Sequence, residues 1–498
     1  MSVAPSSRTI TINPVTRLEG HARIQIVLDD SGEVERAYYQ VPEMRGFEAF
    51  CVGRPVEEMP QITSRICGVC PTAHHTAASK ALDDLYGVSP PPAARMIREI
   101  AYHAFMLEDH ALHVYFLGGP DLLVGPEASP EMRSFLGVMD HLGRTMAARV
   151  IAMRRRLRDV IACIGGKPVH PAHGLPGGVS KGLSADELAA VRATAADALE
   201  FALDTLTMFR RRVVANPELW ALMTSEQYTH RTYYMGMVDE ANRLNFYDGI
   251  LRVVDPSGRE VERFAPEAYP GHIAERTEPW TCARFCYLKS VGWTGFTDGP
   301  NSGVYAVAPL ARLNVADRLA TPHAQSAFEE YVAAYGGKPI HCSLANHWAR
   351  VIEMVYAAER LADLANAYDP GDTTLRVLPT GSGEVGIGAV EAPRGTLIHH
   401  YEADEDGLVR EVHLIVATQN NAARIAMSVD KAARALIHGG VIREGLLNRI
   451  EMAFRAYDPC NACTTHTLGH EHRFDLVVRR SDGSVLQRRG HSLEEKSP

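Results

Sequence analysis

The sequence predicts a mainly α chain with minor β, an α+β fold. Three observations carry this: long proline-free stretches with apolar residues at helical intervals, strict alternation confined to the N-terminal segment, and a middle third without steady period. With 498 residues, 46% hydrophobic and 22% charged, the chain can bury a sizeable core in one large domain or two to three smaller ones.

Taken in order, residues 9–41 alternate apolar and polar around a Ser31-Gly32 turn, which predicts an antiparallel hairpin. Pro71 suits a first helical turn, and helix formers from Thr72 to Tyr86 end at Gly87. From Ala93 to Leu117, Met96, Ile97, Ile100, Ala104, Leu107 and Ala111 recur at helical spacing, predicting one long helix. Another is expected over residues 131–163, closed by Gly165-Gly166, and Gly166 to Gly178 reads as a loop. Ser184 with Glu187 forms a capping box at the head of a helix running to about Arg212.

Residues 215–320 mix short strands, turns and aromatics, and residues 323–368 return to helix, most strongly from Leu344 to Tyr368. Gly381 to Gly386 matches G-x-G-x-x-G. Pro379 precedes it and no helical pattern follows, so a dinucleotide site is rejected. Beyond, Phe474 to Leu486 reads as a hairpin around Ser481-Asp482-Gly483.

Composition excludes several classes. Net charge is −9 and the basic residues form no long stripe, Arg154 to Arg158 being a local run typical of one helix face, so nucleic acid is not an expected partner. Nine cysteines, an odd number without disulfide-scaffold spacing, point to a reducing compartment, the cytoplasm. The N-terminus lacks an apolar signal core, and no run approaches the roughly 18 apolar residues of a membrane span.

The chemistry gathers at two C-x-x-C pairs, Cys67/Cys70 and Cys460/Cys463, at opposite ends of the chain. Such pairs suit a soft metal, because thiolates select zinc, iron–sulfur, nickel or copper(I) over hard cations. The halves of a structural zinc ribbon usually lie about 15–20 residues apart. Here nearly the whole chain intervenes, so four converging sulfurs would sit at the centre of the fold and serve a buried cofactor better than a staple. Cys282 and Cys286 lack a matching pair and, with Cys51, Cys163 and Cys342, read as buried small hydrophobes. His74 lies four residues after Cys70, one helical turn along the same face, and can donate to a ligating sulfur. His103, His110 and His113 read as polar residues of a helix face rather than ligands, and His75 has no such geometric argument. A lone glutamate such as Glu19 is ordinarily a solvated strand end, and Glu48 is unremarkable.

At these residues the sequence resembles the large subunit of nickel–iron hydrogenases. RICGVCPTAH (65–74) matches R-x-C-G-x-C-x-x-x-H, DPCNACTTH (458–466) matches D-P-C-x-x-C-x-x-H, and Arg17-Leu18-Glu19-Gly20-His21 matches R-[IVL]-E-G-H. The resemblance runs from about residue 10 to 466. It implies a single large-subunit domain over 1–466, with a central long-helix bundle and peripheral β hairpins, and a C-terminal extension, 467–498, removed by a maturation protease.

By the same resemblance, Cys67 and Cys460 look like terminal nickel ligands, and Cys70 and Cys463 like bridges to an iron bearing CO and CN. Glu19 looks like the proton relay. Asp109 occupies the position of a carboxylate overhanging the metals, Arg394 (in Glu391-Ala392-Pro393-Arg394-Gly395) that of the arginine over the open metal face, and Asp458 belongs to the outer shell. Thr418 stands where a donor to cyanide is expected. Glu48 and His466 match the ligands of a magnesium ion. The Val416 to Asn420 stretch places the chain with soluble, cofactor-linked members rather than membrane-bound ones.

Dihydrogen is too weak an acid for any side chain alone, so a metal pair must polarise it while an adjacent base takes the proton. A terminal thiolate, Cys460, is the more available base, with Glu19 next in line. Two electrons must leave singly, and this chain has no spare cysteine set for clusters, so a partner is expected; the resemblance implies that it is an iron–sulfur small subunit, joined to a flavin or other electron-transfer module serving NAD(P), another carrier or ferredoxin. The rivals are a hydrogen sensor with little turnover, the quinone-site subunit of respiratory complex I, which lacks the four cysteines, and a structural zinc protein.

Overall fold

In a computed structural model of the chain, the structure describes residues 8–381, 383–465, 475–479 and 485–490. The N-terminal alternation forms a three-stranded antiparallel sheet, β1 (Arg8–Ile12), β2 (Arg23–Leu28) and β3 (Val34–Gln40), in that order. The expected hairpin at Ser31-Gly32 joins β2 to β3, with Gly32 at φ 82°, and β1 adds a strand outside it. Ile24, Ile26 and Leu28 fall on one face of β2 and are buried, as a period of two requires.

Two helices lead into the bundle, α1 (Pro71–Leu85) and α2 (Pro92–Leu112). The expected helix to Leu117 changes pitch, because His113–Leu117 forms a wider π-type turn. The single helix expected over 131–163 is instead two, α3 (Phe135–Leu142) and α4 (Arg144–Gly165), separated by Gly143 at φ 86°, a conformation only glycine adopts cheaply. α5 (Ala185–Phe209) opens on the predicted capping box. α6 (Pro322–Ala334), α7 (Asn346–Ala367), α8 (Ala417–Leu436) and α9 (Glu444–Arg455) follow.

α7 packs on both α2 and α5 and is buried almost all round, so it forms the axis of the bundle. Its buried Glu353 is paired there. Glu353 receives Arg312 Nε at 2.7 Å and Nη2 at 2.6 Å, and pairs with His110 Nε2 at 2.9 Å. The helix-face histidines His103, His110 and His113 are all buried, and His113 Nε2 bonds the Arg455 carbonyl at 2.9 Å.

The unpatterned middle holds small sheets. β4 (Tyr233–Val238), β5 (Ile250–Val254) and β6 (Glu260–Phe264) form antiparallel pairs, β7 (Ile273–Thr277) pairs with β8 (Arg284–Leu288), and β9 (Tyr305–Ala306) joins β4 in parallel. β10 (Val385–Ala392), β11 (Gly395–Ala403) and β12 (Val409–Ile415) make a meander whose first strand lies along α1. A Cβ on Gly386 would stand 2.2 Å from the Ala81 carbonyl oxygen, and one on Gly388 2.3 Å from that of Ala77. Gly386, the last glycine of the rejected G-x-G-x-x-G match, thus serves close helix–strand packing. The expected C-terminal hairpin forms between Asp475–Arg479 and Val485–Gly490.

Of the remaining cysteines, Cys51, Cys286 and Cys342 are buried as expected. Cys163, near the end of α4, and Cys282, in the connection between β7 and β8, are only half-buried. No helix among the described residues is long and apolar enough to cross a membrane.

Candidate metal centre

The two cysteine pairs converge. Cys67 leaves the short turn Ser64–Ile66 in extended conformation, Cys70 stands immediately before α1, and Cys460 precedes the turn Asn461–Cys463 that Cys463 closes. Sγ atoms are 3.1 Å apart for Cys67 and Cys460, 3.5 Å for Cys70 and Cys463, and 2.8 Å for Cys460 and Cys463. All four sulfurs are buried and lie within 4.8 Å of one another, and no disulfide joins them.

Their electrostatics fit a soft cation. Burial opposes ionisation at Cys67, yet the neighbouring Cys460, Cys463 and Cys70 thiols, all bonding its sulfur, hold it well below an ordinary thiol. Burial pushes Cys460 and Cys463 up, and the Cys67 and Cys70 sulfurs add to the effect. Thiol ligands bind a metal as thiolates, so metal binding would have to displace the protons that burial keeps on these sulfurs. The donor set, four convergent thiols in a dry site, suits soft metals, nickel and iron among them.

Glu19 lies against this cluster. Its Oε2 is 3.0 Å from Cys460 Sγ and accepts from Ala462 N–H at 3.2 Å. The backbones also pair in parallel, Glu19 N–H donating to Pro459 O at 3.3 Å and Asn461 N–H to Glu19 O at 2.9 Å. Burial and the Cys67 thiolate raise the Glu19 carboxyl above its ordinary value, which favours a group able to hold a proton.

Arg394, at the turn between β10 and β11, is buried between two carboxylates. Nη1 donates to Asp109 Oδ2 at 3.1 Å, and Nε donates to the Asp458 carbonyl at 2.7 Å. Nη2 lies 2.9 Å from Asp458 Oδ2 but off the hydrogen-bonding axis, so that contact is an ion pair only. Asp109 comes from α2, and Asp458 holds the left-handed φ of 56° that turns the chain into Cys460. Burial pushes the Asp458 carboxyl up against the pull of Arg394 and Arg350.

Thr418 stands at the first turn of α8, where Oγ1 accepts from Cys460 N–H at 3.0 Å, leaving its hydroxyl proton available. His74 Nε2 is 3.5 Å from a sulfur, and that sulfur belongs to Cys463, not to Cys70 on its own helix. A small enclosed space beside the cluster is bounded by Arg394, Thr418, Leu397, Val416, Cys70 and Cys463.

Glu48 is buried away from the sulfurs, with Oε1 accepting from Leu414 N–H at 2.9 Å. His466, its expected partner in holding magnesium, lies outside the described residues. The chain does approach: Arg45 N–H donates to Thr465 O at 2.7 Å.

A family model for nickel-dependent hydrogenases matches residues 45–124 and 282–466, and a HoxL-like model matches 9–44. The chain belongs to the nickel-dependent hydrogenase family. It is 43% identical to the iron-sulfur subunit of the F420-non-reducing hydrogenase of Archaeoglobus profundus, covering 96% of this chain and 99% of that protein. It is 35% identical to the NAD-reducing hydrogenase HoxS subunit beta of Cupriavidus necator, covering 99% and 100%. Among solved structures, an NAD+-reducing [NiFe]-hydrogenase in the H2-reduced state superposes with TM-score 0.86 at 37% identity, over 92% of this chain and 99% of that one. The Ni-Fe-Se hydrogenase of D. vulgaris Hildenborough, 21% identical with TM-score 0.72, shares the fold.

This hydrogenase is thus an oxidoreductase large subunit with a four-cysteine site fit for a nickel–iron centre. Sequence reasoning missed His399, whose Nε2 is 3.0 Å from His74 Nδ1. The signal was present: Leu397, His399 and Tyr401 alternate along β11 from Arg394, so one strand face leads away from the cluster.

Proposed function

We propose that this protein catalyses the reversible heterolytic cleavage of H2, with Cys460 receiving the proton and Glu19 carrying it away. The observation that carries the reading is the 3.0 Å contact between Glu19 Oε2 and Cys460 Sγ, within proton-transfer reach. Cys67 and Cys460 would hold nickel terminally, and Cys70 and Cys463 would bridge it to an iron bearing CO and CN. When bound, the metal pair supplies the Lewis acidity that makes H2 acidic enough to split near neutral pH.

The chain's own groups do the rest. The two carboxylates fix Arg394 beside the enclosed space, where its guanidinium and the Thr418 hydroxyl offer donors to small anionic ligands such as cyanide. His74 donates to Cys463, withdrawing charge from a bridging sulfur. Glu48 and His466 would hold magnesium, a reading supported by the bond that brings Thr465 alongside Arg45.

An iron–sulfur small subunit would receive the electrons across the edge where Arg65 and Gly68 are exposed beside Cys67. Onward transfer to a flavin module serving NAD(P), or to ferredoxin, is supported by relatives named as NAD-reducing and F420-non-reducing hydrogenase subunits. A cytoplasmic location accords with nine unpaired cysteines. Residues 1–466 would form the mature domain, and a protease would remove 467–498. Intact-mass measurement of active enzyme should show a chain ending at His466. The decisive test is nickel and iron quantitation with infrared spectroscopy of the purified complex. Carbonyl and cyanide bands with both metals are expected; zinc alone would overturn the proposal.

A further inference from the structure

A buried hydrogen-bonded chain of three side chains leads away from the cluster. His74 Nε2 is 3.5 Å from Cys463 Sγ, His74 Nδ1 is 3.0 Å from His399 Nε2, and His399 Nδ1 is 2.5 Å from the Tyr401 hydroxyl. All three residues are essentially excluded from solvent. His74 comes from α1, whereas His399 and Tyr401 share one face of β11.

The direction of the chain follows from its sulfur end. A metal-held thiolate has only lone pairs to offer, so the proton in the first contact belongs to His74 Nε2. An imidazole that carries its one N–H on Nε2 has a lone pair on Nδ1, so His74 Nδ1 accepts. His399 must then donate from Nε2, leaving Nδ1 as an acceptor, and the Tyr401 hydroxyl must supply the last proton. Tyr401 suits this position. Burial holds its phenol well above the ordinary value, so it stays protonated.

We infer that Tyr401 and His399 are positioning residues that lock His74 in the tautomer donating to Cys463. Without the terminal hydroxyl, only the sulfur end holds the two tautomers, His399 Nδ1 loses its donor, and the hydrogen bond from His74 to Cys463 is held less firmly. The sulfur would then keep more of its charge, since partners behind a ligand tune its basicity. Neither residue touches the cluster, and neither belongs to the cysteine or glutamate signatures. The inference rests on the reading of Cys463 as a ligand of an iron carrying CO and CN.

The test is infrared spectroscopy of the purified complex carrying Tyr401→Phe, which removes only a hydroxyl, and separately His399→Leu, which removes both ring nitrogens. Both variants should retain wild-type nickel and iron content. Their carbonyl and cyanide bands should move to lower frequency, because a more basic sulfur makes the iron richer in electrons and strengthens back-donation. A purely structural role would lower metal content or melting temperature without moving the bands. Bands at wild-type positions in both metal-replete variants would overturn the inference. Absence of such bands in the unmodified enzyme would overturn the reading beneath it instead.

Discussion

Glu19 and Cys460, 441 residues apart, are joined both through their side chains, at 3.0 Å, and through a parallel backbone bridge. The carboxylate is therefore held on the sulfur by main-chain geometry rather than by a flexible side chain alone. Glu19→Gln keeps size and hydrogen bonding but removes the exchangeable acid. Metal content should match the wild type, while hydrogen/deuterium exchange with solvent should fall by at least about 100-fold, the lower range of general acid–base contributions. Undiminished exchange would reject the relay.

Cys460→Ala leaves three sulfurs and removes the contact partner of both Cys67 and Glu19. Elemental analysis should show nickel lost. Since a ligand bound only by the folded state stabilises it by mass action, this variant should also melt below the loaded enzyme and resemble the metal-free chain.

Gly20 sits at φ 79° beside the Cys460 turn, and a Cβ there would stand 2.8 Å from Ala462 N and 3.1 Å from Asn461 Cβ. Gly20→Ala should push the Glu19 loop off that turn. The expected result is slower isotope exchange in whatever fraction still binds metal, measured per nickel.

Arg394→Leu would leave Asp109 and Asp458 facing each other in a dry interior. Removing one partner of a buried ion pair costs about 3–5 kcal/mol, so the variant should lose thermal stability as well as activity. Arg394→Lys keeps the charge but not the planar fork, and should recover stability more than turnover.

Lys181 and the Ser184 backbone N–H hold Glu187 down to about 2 in the folded chain, against an ordinary 4.5. A folded value below the unfolded one means the stabilisation is present above about pH 4.5 and lost as pH falls toward 2. The site is well exposed and screened, so the effect is small. Glu187→Gln should flatten that part of the acid-unfolding profile, and Ser184→Ala should cost about 1 kcal/mol at neutral pH.

The two cysteine pairs were legible from their own residue type and spacing, whereas Glu19 and Arg394 entered only through the family resemblance, because a single carboxylate or guanidinium has no spacing that marks it. The helices of residues 71–112 and 346–367 were legible from apolar period alone. The break at Gly143 was not, because one glycine inside a helical pattern is usually tolerated and only its positive φ reveals the turn. The partner of His74 could not be read either: spacing shows which helix face it occupies, whereas Cys463 reaches it from 389 residues away. The middle sheets stayed hidden because strands buried on both sides, such as Tyr233–Val238, lose their alternation.

One pair of sulfurs emerges early from the ribosome and the other only when synthesis is almost complete, with 393 positions between Cys67 and Cys460. A polypeptide that stops before Cys460 thus holds one pair of these sulfurs, never four. The four-sulfur cluster is therefore complete only once Cys463 has been made.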